Sequence, residues 1–112
     1  MAGGVSRGEI WMFAFKSPDK KRPVLVLTRS EVIGLLHTVM VAPITSSIRG
    51  APSEVLVGVD EGLKGPSAVN LDHVQTVEKR LLVHYVGRLD AAKMASVCGA
   101  LRLATGCDQT LV

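Results

Sequence analysis

The chain has 112 residues, 47% of them hydrophobic and 21% charged, with a formal net charge of +3. That length suits one domain spanning residues 1–112, with a core that needs no staples, and the composition excludes a disordered chain. The mild basicity permits a polyanionic partner without requiring one. Cys98 and Cys107 are the two cysteines, and neither has the Cys-x-x-Cys or Cys/His company that structural zinc needs. Two unpaired thiols suit a reducing compartment. With no basic start leading into an apolar run and no stretch long enough for a membrane span, a cytoplasmic protein with no membrane partner is expected.

Taken in order, residues 1–6 are a frayed start, and residues 7–15 read as a strand whose side chains from Ile10 onward are nearly all apolar, so that both its faces are covered. Residues 16–21 form a basic, proline-bearing turn that makes a hairpin with the next strand, residues 22–28. Ser30 can cap a helix that Gly34 keeps short. Residues 39–45 form a third strand, and Pro43, which has no N–H to donate, places it at an edge or at a bulge. After a loop carrying Arg49, residues 54–59 read as a fourth strand and residues 60–66 as a turn-rich connection. Residues 67–77 contain another strand, with polar positions at 70, 72, 73 and 75, and residues 81–88 the last. Asp90 caps a helix over residues 91–104 that Gly106 stops, with Met94, Val97, Cys98 and Leu101 along one face. Cys98 reads there as a small core hydrophobe. Many short strands and one terminal helix predict a small, strongly bent antiparallel sheet or barrel, mainly β with helices.

The stretch with chemical content is residues 22–45. Two β-rich runs joined by a short link pair antiparallel, which brings the start of the first beside the end of the second. Arg22 is then a neighbour of Thr45, and a guanidinium beside a hydroxyl can bind phosphate. The same positions also fit a sheet-edge arginine and an ordinary strand threonine, and the residues alone leave both readings open. His73 is the most central histidine, a candidate proton carrier or a structural residue. No phosphate-binding glycine loop, Gly-x-Ser-x-Gly elbow or paired helical carboxylates are present.

In order and spacing, several segments together resemble the MazF/PemK family of toxin endoribonucleases. They are Arg7-Gly8-Glu9-Ile10-Trp11, Lys21-Arg22-Pro23-Val24-Leu25-Val26-Leu27, Val41-Ala42-Pro43-Ile44-Thr45-Ser46, Leu71-Asp72-His73-Val74-Gln75-Thr76-Val77 and Gly87-Arg88-Leu89-Asp90. The resemblance covers nearly the whole chain. It implies an SH3-like barrel of the MazF/PemK/CcdB type with a C-terminal helix, working as a homodimer and held inactive by a cognate antitoxin. It implies sequence-specific cleavage of single-stranded RNA with no cofactor and no metal, through attack of the ribose 2′-OH on the adjacent phosphate. By resemblance Arg22 and Thr45 are the catalytic pair and Ser46, Ser47 and His73 contact substrate, while Lys21 and Arg49 are candidate substrate contacts through their positive charge around the groove. Arginine holds its proton too tightly to be a ready base and His73 is the natural proton carrier near neutral pH, whereas the family reading favours Arg22 in both proton roles; the residues leave the two open. The hairpin loop at residues 16–21 is shorter than in many relatives, where it helps hold substrate. The same barrel serves CcdB-like gyrase-poisoning toxins, and a non-catalytic SH3-like binding module is the third alternative.

Overall fold

The computed structural model describes residues 4–15 and 20–107. Its strands are β1 (Glu9–Ala14), β2 (Lys21–Val26), β3 (Thr38–Thr45), β4 (Glu54–Val57), β5 (Ser67–Asn70), β6 (Gln75–Glu78) and β7 (Leu82–Arg88), with helices α1 (Ser30–Ile33) and α2 (Ala91–Thr105). The seven strands form an antiparallel sheet in the order β4-β5-β3-β2-β1-β7, with β6 also paired to β3. This is the expected α+β architecture with a C-terminal helix.

Alternation along β2 explains why its sequence is apolar throughout. Leu25 and Leu27 enter one core with Ile10, Ile44, Val69 and Val97, while Val24 and Val26 enter a second with Phe13, Val39, Val41 and Val77. Both faces of the central strands are therefore covered, and a covered strand carries no polar alternation. Leu25 is fully buried, and its truncation to alanine would cost about 2–5 kcal/mol.

β3 is an interior strand, which corrects the edge expected from Pro43. On one side it pairs with β2, as Val24↔Pro43, Leu25↔Ala42 and Val26↔Val41. On the other it pairs first with β6, ending at Val41↔Gln75, and then with β5, beginning at Ile44↔Val69. The Leu27 N–H donates to the Met40 carbonyl at 2.8 Å. Backbone groups alternate along a strand, so the nitrogen of Pro43 faces the β6/β5 side, in the gap where one neighbour ends and the next begins. The missing donor sits where the ladder is already broken.

The single strand expected in residues 67–77 is two, β5 and β6, separated by a 3-10 turn at Leu71–His73. The Asn70 side chain accepts from the Asp72 N–H at 2.9 Å, a local bond that competes with the ladder and ends the strand. α1 is one turn long, with Arg29 and not Ser30 at its N-cap. α2 is as expected at its ends: the Asp90 carboxylate accepts from the Lys93 N–H at 2.8 Å, and Gly106 closes it at φ 76°. Val97 and Ala100 are its buried residues. Cys98 is half-buried, and the Arg7 guanidinium donates to its sulfur at 3.3 Å and also to the Leu27 carbonyl, tying the chain start to β2 and α2.

The sheet closes on itself through backbone contact. The turn Val59–Glu61 after β4 runs against β7, where Gly62 (φ 95°) meets Val86 and Gly87 meets Glu61. A Cβ on either glycine would overlap the carbonyl of the opposing segment. The close approach requires glycine on both sides.

Candidate active site

At the closed end of the sheet lies a cleft of about 650 Å³, lined by residues of β1, β2, β3 and β7 and by the loop at residues 62–67. Arg22, Thr45 and Ser46 all line it. Extending the β2–β3 register from Val24↔Pro43 by two residues sets Arg22 across from Thr45. At that point β3 has already turned to β5, with Thr45 opposite Ala68. The β2–β3 ladder ends at Val24↔Pro43, and Arg22 and Thr45 lie just beyond that end, both on the cleft wall.

Each is positioned by its neighbours. The Arg22 guanidinium lies 5.1 Å from the centroid of the Phe15 ring, and Phe15 is stacked on Phe13 at 6.4 Å. A ring face attracts a cation without occupying its N–H donors, so the guanidinium is held with its fork free for an anion. Arg22 makes no ion pair with any described residue. The Thr45 hydroxyl accepts from the Ser47 N–H at 3.0 Å. Its acceptor capacity is thus partly used, and its own proton is available to donate. Two donors with no carboxylate among the described lining residues make this a site for an anion.

The other expected site residues fall into two groups. Ser46 lines the cleft, Ser47 orients Thr45 through its backbone, and Lys21 precedes Arg22, exposed and opposite Ala14. Arg49 lies outside the cleft on an exposed loop that Glu54 organises, its carboxylate accepting from the N–H groups of Arg49, Gly50 and Ala51. His73 is exposed on the 3-10 turn Leu71–His73, which packs against α2, and it does not line the cleft. Lys16 and most of the first hairpin loop, including its expected shortness, lie outside the described residues. The sequence reading missed Lys64, Leu63 and the rest of the loop that shares the cleft with Arg22. Their only signal was a run of glycine and proline. No group of three or more His, Cys, Asp or Glu among the described residues could hold a metal ion.

The closed antiparallel sheet with its terminal helix thus carries a cationic, hydroxyl-bearing cleft whose chemistry suits an anion. The chain belongs to the family described as PemK-like, MazF-like toxin of type II toxin-antitoxin system, whose model matches residues 6–105. It is similar to the probable endoribonuclease MazF5 of Mycobacterium tuberculosis, with 41% identity over 93% of this chain and 95% of that protein. Among solved structures it is similar to the Mycobacterium tuberculosis toxin MazF-mt6, at a TM-score of 0.81 and 38% identity, covering 88% of this chain and 96% of the other. It is also similar to an endoribonuclease in complex with its cognate antitoxin from a mycobacterial species, at a TM-score of 0.82 and 25% identity, covering 92% and 96%. No helix among the described residues is long and apolar enough to cross a membrane.

Proposed function

We infer that this protein is the toxin of a type II toxin–antitoxin pair and that it cleaves single-stranded RNA internally. The observation that carries this reading is the meeting of Arg22 and Thr45 in one anion-binding cleft of a chain that belongs to the MazF-like family. The family match favours ribonuclease action over the gyrase-poisoning and purely binding alternatives.

The mechanism that suits these groups uses the ribose 2′-OH as an internal nucleophile. It attacks the adjacent phosphorus, the bond to the 5′ oxygen of the next nucleotide breaks, and the products carry a 2′,3′-cyclic phosphate and a 5′-OH. Alignment of the 2′-OH with the leaving oxygen supplies much of the rate. Arg22 and the Thr45 hydroxyl meet the charge that builds on the phosphate oxygens. In this reading Arg22, which lines the cleft, takes the proton-transfer role, because His73 lies outside it on the turn against α2. Lys21, Ser46 and Ser47 contact the RNA beside the pair, and Arg49 and His73 contact it farther along the strand. The chemistry needs no metal or cofactor, and it selects RNA because DNA lacks the nucleophile.

The chain acts as one domain in the cytoplasm, as a two-fold homodimer, and is silenced by an antitoxin whose acidic segment competes for the basic cleft. Incubation with a long single-stranded RNA, with and without EDTA, tests the reading. Cleavage should persist in EDTA and stop when 2′-deoxyribose replaces ribose on the 5′ side of the cut. Cleavage that EDTA abolishes, or that survives the deoxy substitution, sinks the mechanism.

A further inference from the structure

Arg22 and Lys64 are the two charged residues among those described in the cleft wall, and they come from different segments of the chain. Arg22 comes from β2 and Lys64 from the loop that leads into β5. The same cleft is also lined by apolar side chains, Met12, Leu63 and Val86 among them. Other cations of the chain are engaged structurally: Lys79 donates to the Ile33 carbonyl, Lys93 to the Leu56 carbonyl, and Arg80 pairs with Glu78. Lys64 is exposed and makes no hydrogen bond or ion pair with any described residue.

The loop that carries it is nonetheless fixed. Glu61, 9% exposed, accepts from the Gly58 N–H at 2.7 Å and lies 3.9 Å from Lys93 of α2. The N–H groups of Gly62 and Leu63 donate to Val59 and Gly58 at 3.0 and 3.2 Å, and Gly62 is pressed against β7. A free ammonium on a rigid loop, in the same cleft as a guanidinium from another strand, is suited to hold a second point on a polyanion.

We propose that Lys64 is a substrate-positioning residue that binds the phosphate next to the one held by Arg22 and Thr45. The sugar and base between the two phosphates then pack on the apolar lining of Met12, Leu63 and Val86. This rests on the ribonuclease reading and adds to it a fixed register of RNA across the cleft. A lysine suffices there, because a neighbouring phosphate undergoes no change of charge during the reaction and needs a point charge, not a fork.

The test uses the full chain and an RNA with a single 2′-deoxyribose at the cleavage point for binding, and its all-ribose form for kinetics. Lys64→Ala should raise the KM and the Kd about fivefold, leave kcat within about twofold, and lower the slope of log K against log salt by about 0.7, one single-strand phosphate. Lys64→Arg should restore binding. In a series of RNAs each bearing one neutral methylphosphonate, the wild type should lose affinity at the phosphate adjacent to the scissile one, and Lys64→Ala should be insensitive at that position alone. A Lys64→Ala protein with wild-type KM and salt slope, or with unchanged sensitivity at every methylphosphonate position, overturns the assignment. So does a loss confined to kcat. Those results leave RNA cleavage itself standing, whereas a wild-type chain that neither binds nor cuts RNA removes the ribonuclease reading and this inference together.

Discussion

At the level of single residues, the proposed site rests on two donors, Arg22 and Thr45, whose surroundings leave them free to bind an anion. Arg22→Ala removes a charge that the transition state needs more than the ground state does, and loss of one such donor costs roughly 3 kcal/mol, about a hundredfold in rate. Arg22→Lys should be nearly as poor, since an ammonium cannot present two donors in one plane. Thr45→Val deletes the hydroxyl and with it the acceptor for the Ser47 N–H, so cleavage should fall, while Thr45→Ser keeps both and should stay close to wild type. Rate measurements on proteins with unchanged circular dichroism check the set, and a well-folded Arg22→Ala with near-normal cleavage would falsify the assignment. That these two residues would come to the same part of the fold, where both line one cleft, was legible in the sequence because register arithmetic needs only two apolar runs and a short link. Lys64 was not legible. It reaches the cleft only because the loop after β4 is laid against β7, a contact between segments more than twenty residues apart that no local pattern encodes.

Among the elements, legibility followed how local the determining interactions are. α2 carries its own signals in Asp90 and Gly106, both of which act at the helix ends as read. β5 and β6 were read as one strand, because apolar residues flank the polar ones and the bond from Asp72 to Asn70 is made by side-chain geometry. The closing contact between the Val59–Glu61 turn and β7 had no sequence signature beyond two glycines. Gly87→Ala tests that contact cleanly, since its φ is not in the left-handed region and the added methyl meets the Glu61 carbonyl. Separation of the segments should cost about 1–3 kcal/mol, read as a lower denaturant midpoint. Because Val86 and the loop at residues 62–67 line the cleft, cleavage should drop along with stability. A Gly87→Ala protein of unchanged midpoint would mean that the segments part without cost.

For the molecule as a whole, part of the modest basic excess lies where it can act on a partner. Lys20, Lys21, Arg22 and Lys64 are exposed at or beside the cleft, and both RNA and an acidic antitoxin segment are polyanions. Binding of the cognate antitoxin should therefore weaken as salt rises and should displace a labelled, uncleavable RNA, with fluorescence anisotropy as the measurement. A saturating antitoxin that leaves RNA bound would show that the two occupy different surfaces.

The change of neighbours along β3 has a consequence for how the protein opens. Because β2 flanks one side while β6 and then β5 share the other, any opening that detaches β2, β5 or β6 breaks part of β3's own ladder. Local unfolding of β4, the outer strand beyond β5, leaves β3 paired, whereas opening of β3 itself breaks its ladders to β2, β5 and β6 together. The strand, with Val41 and Ala42 fully buried, thus belongs to the part of the sheet that is costliest to open. Fluctuations of the outermost strands, β4 and β7, can pass without unpairing the strand that carries Thr45.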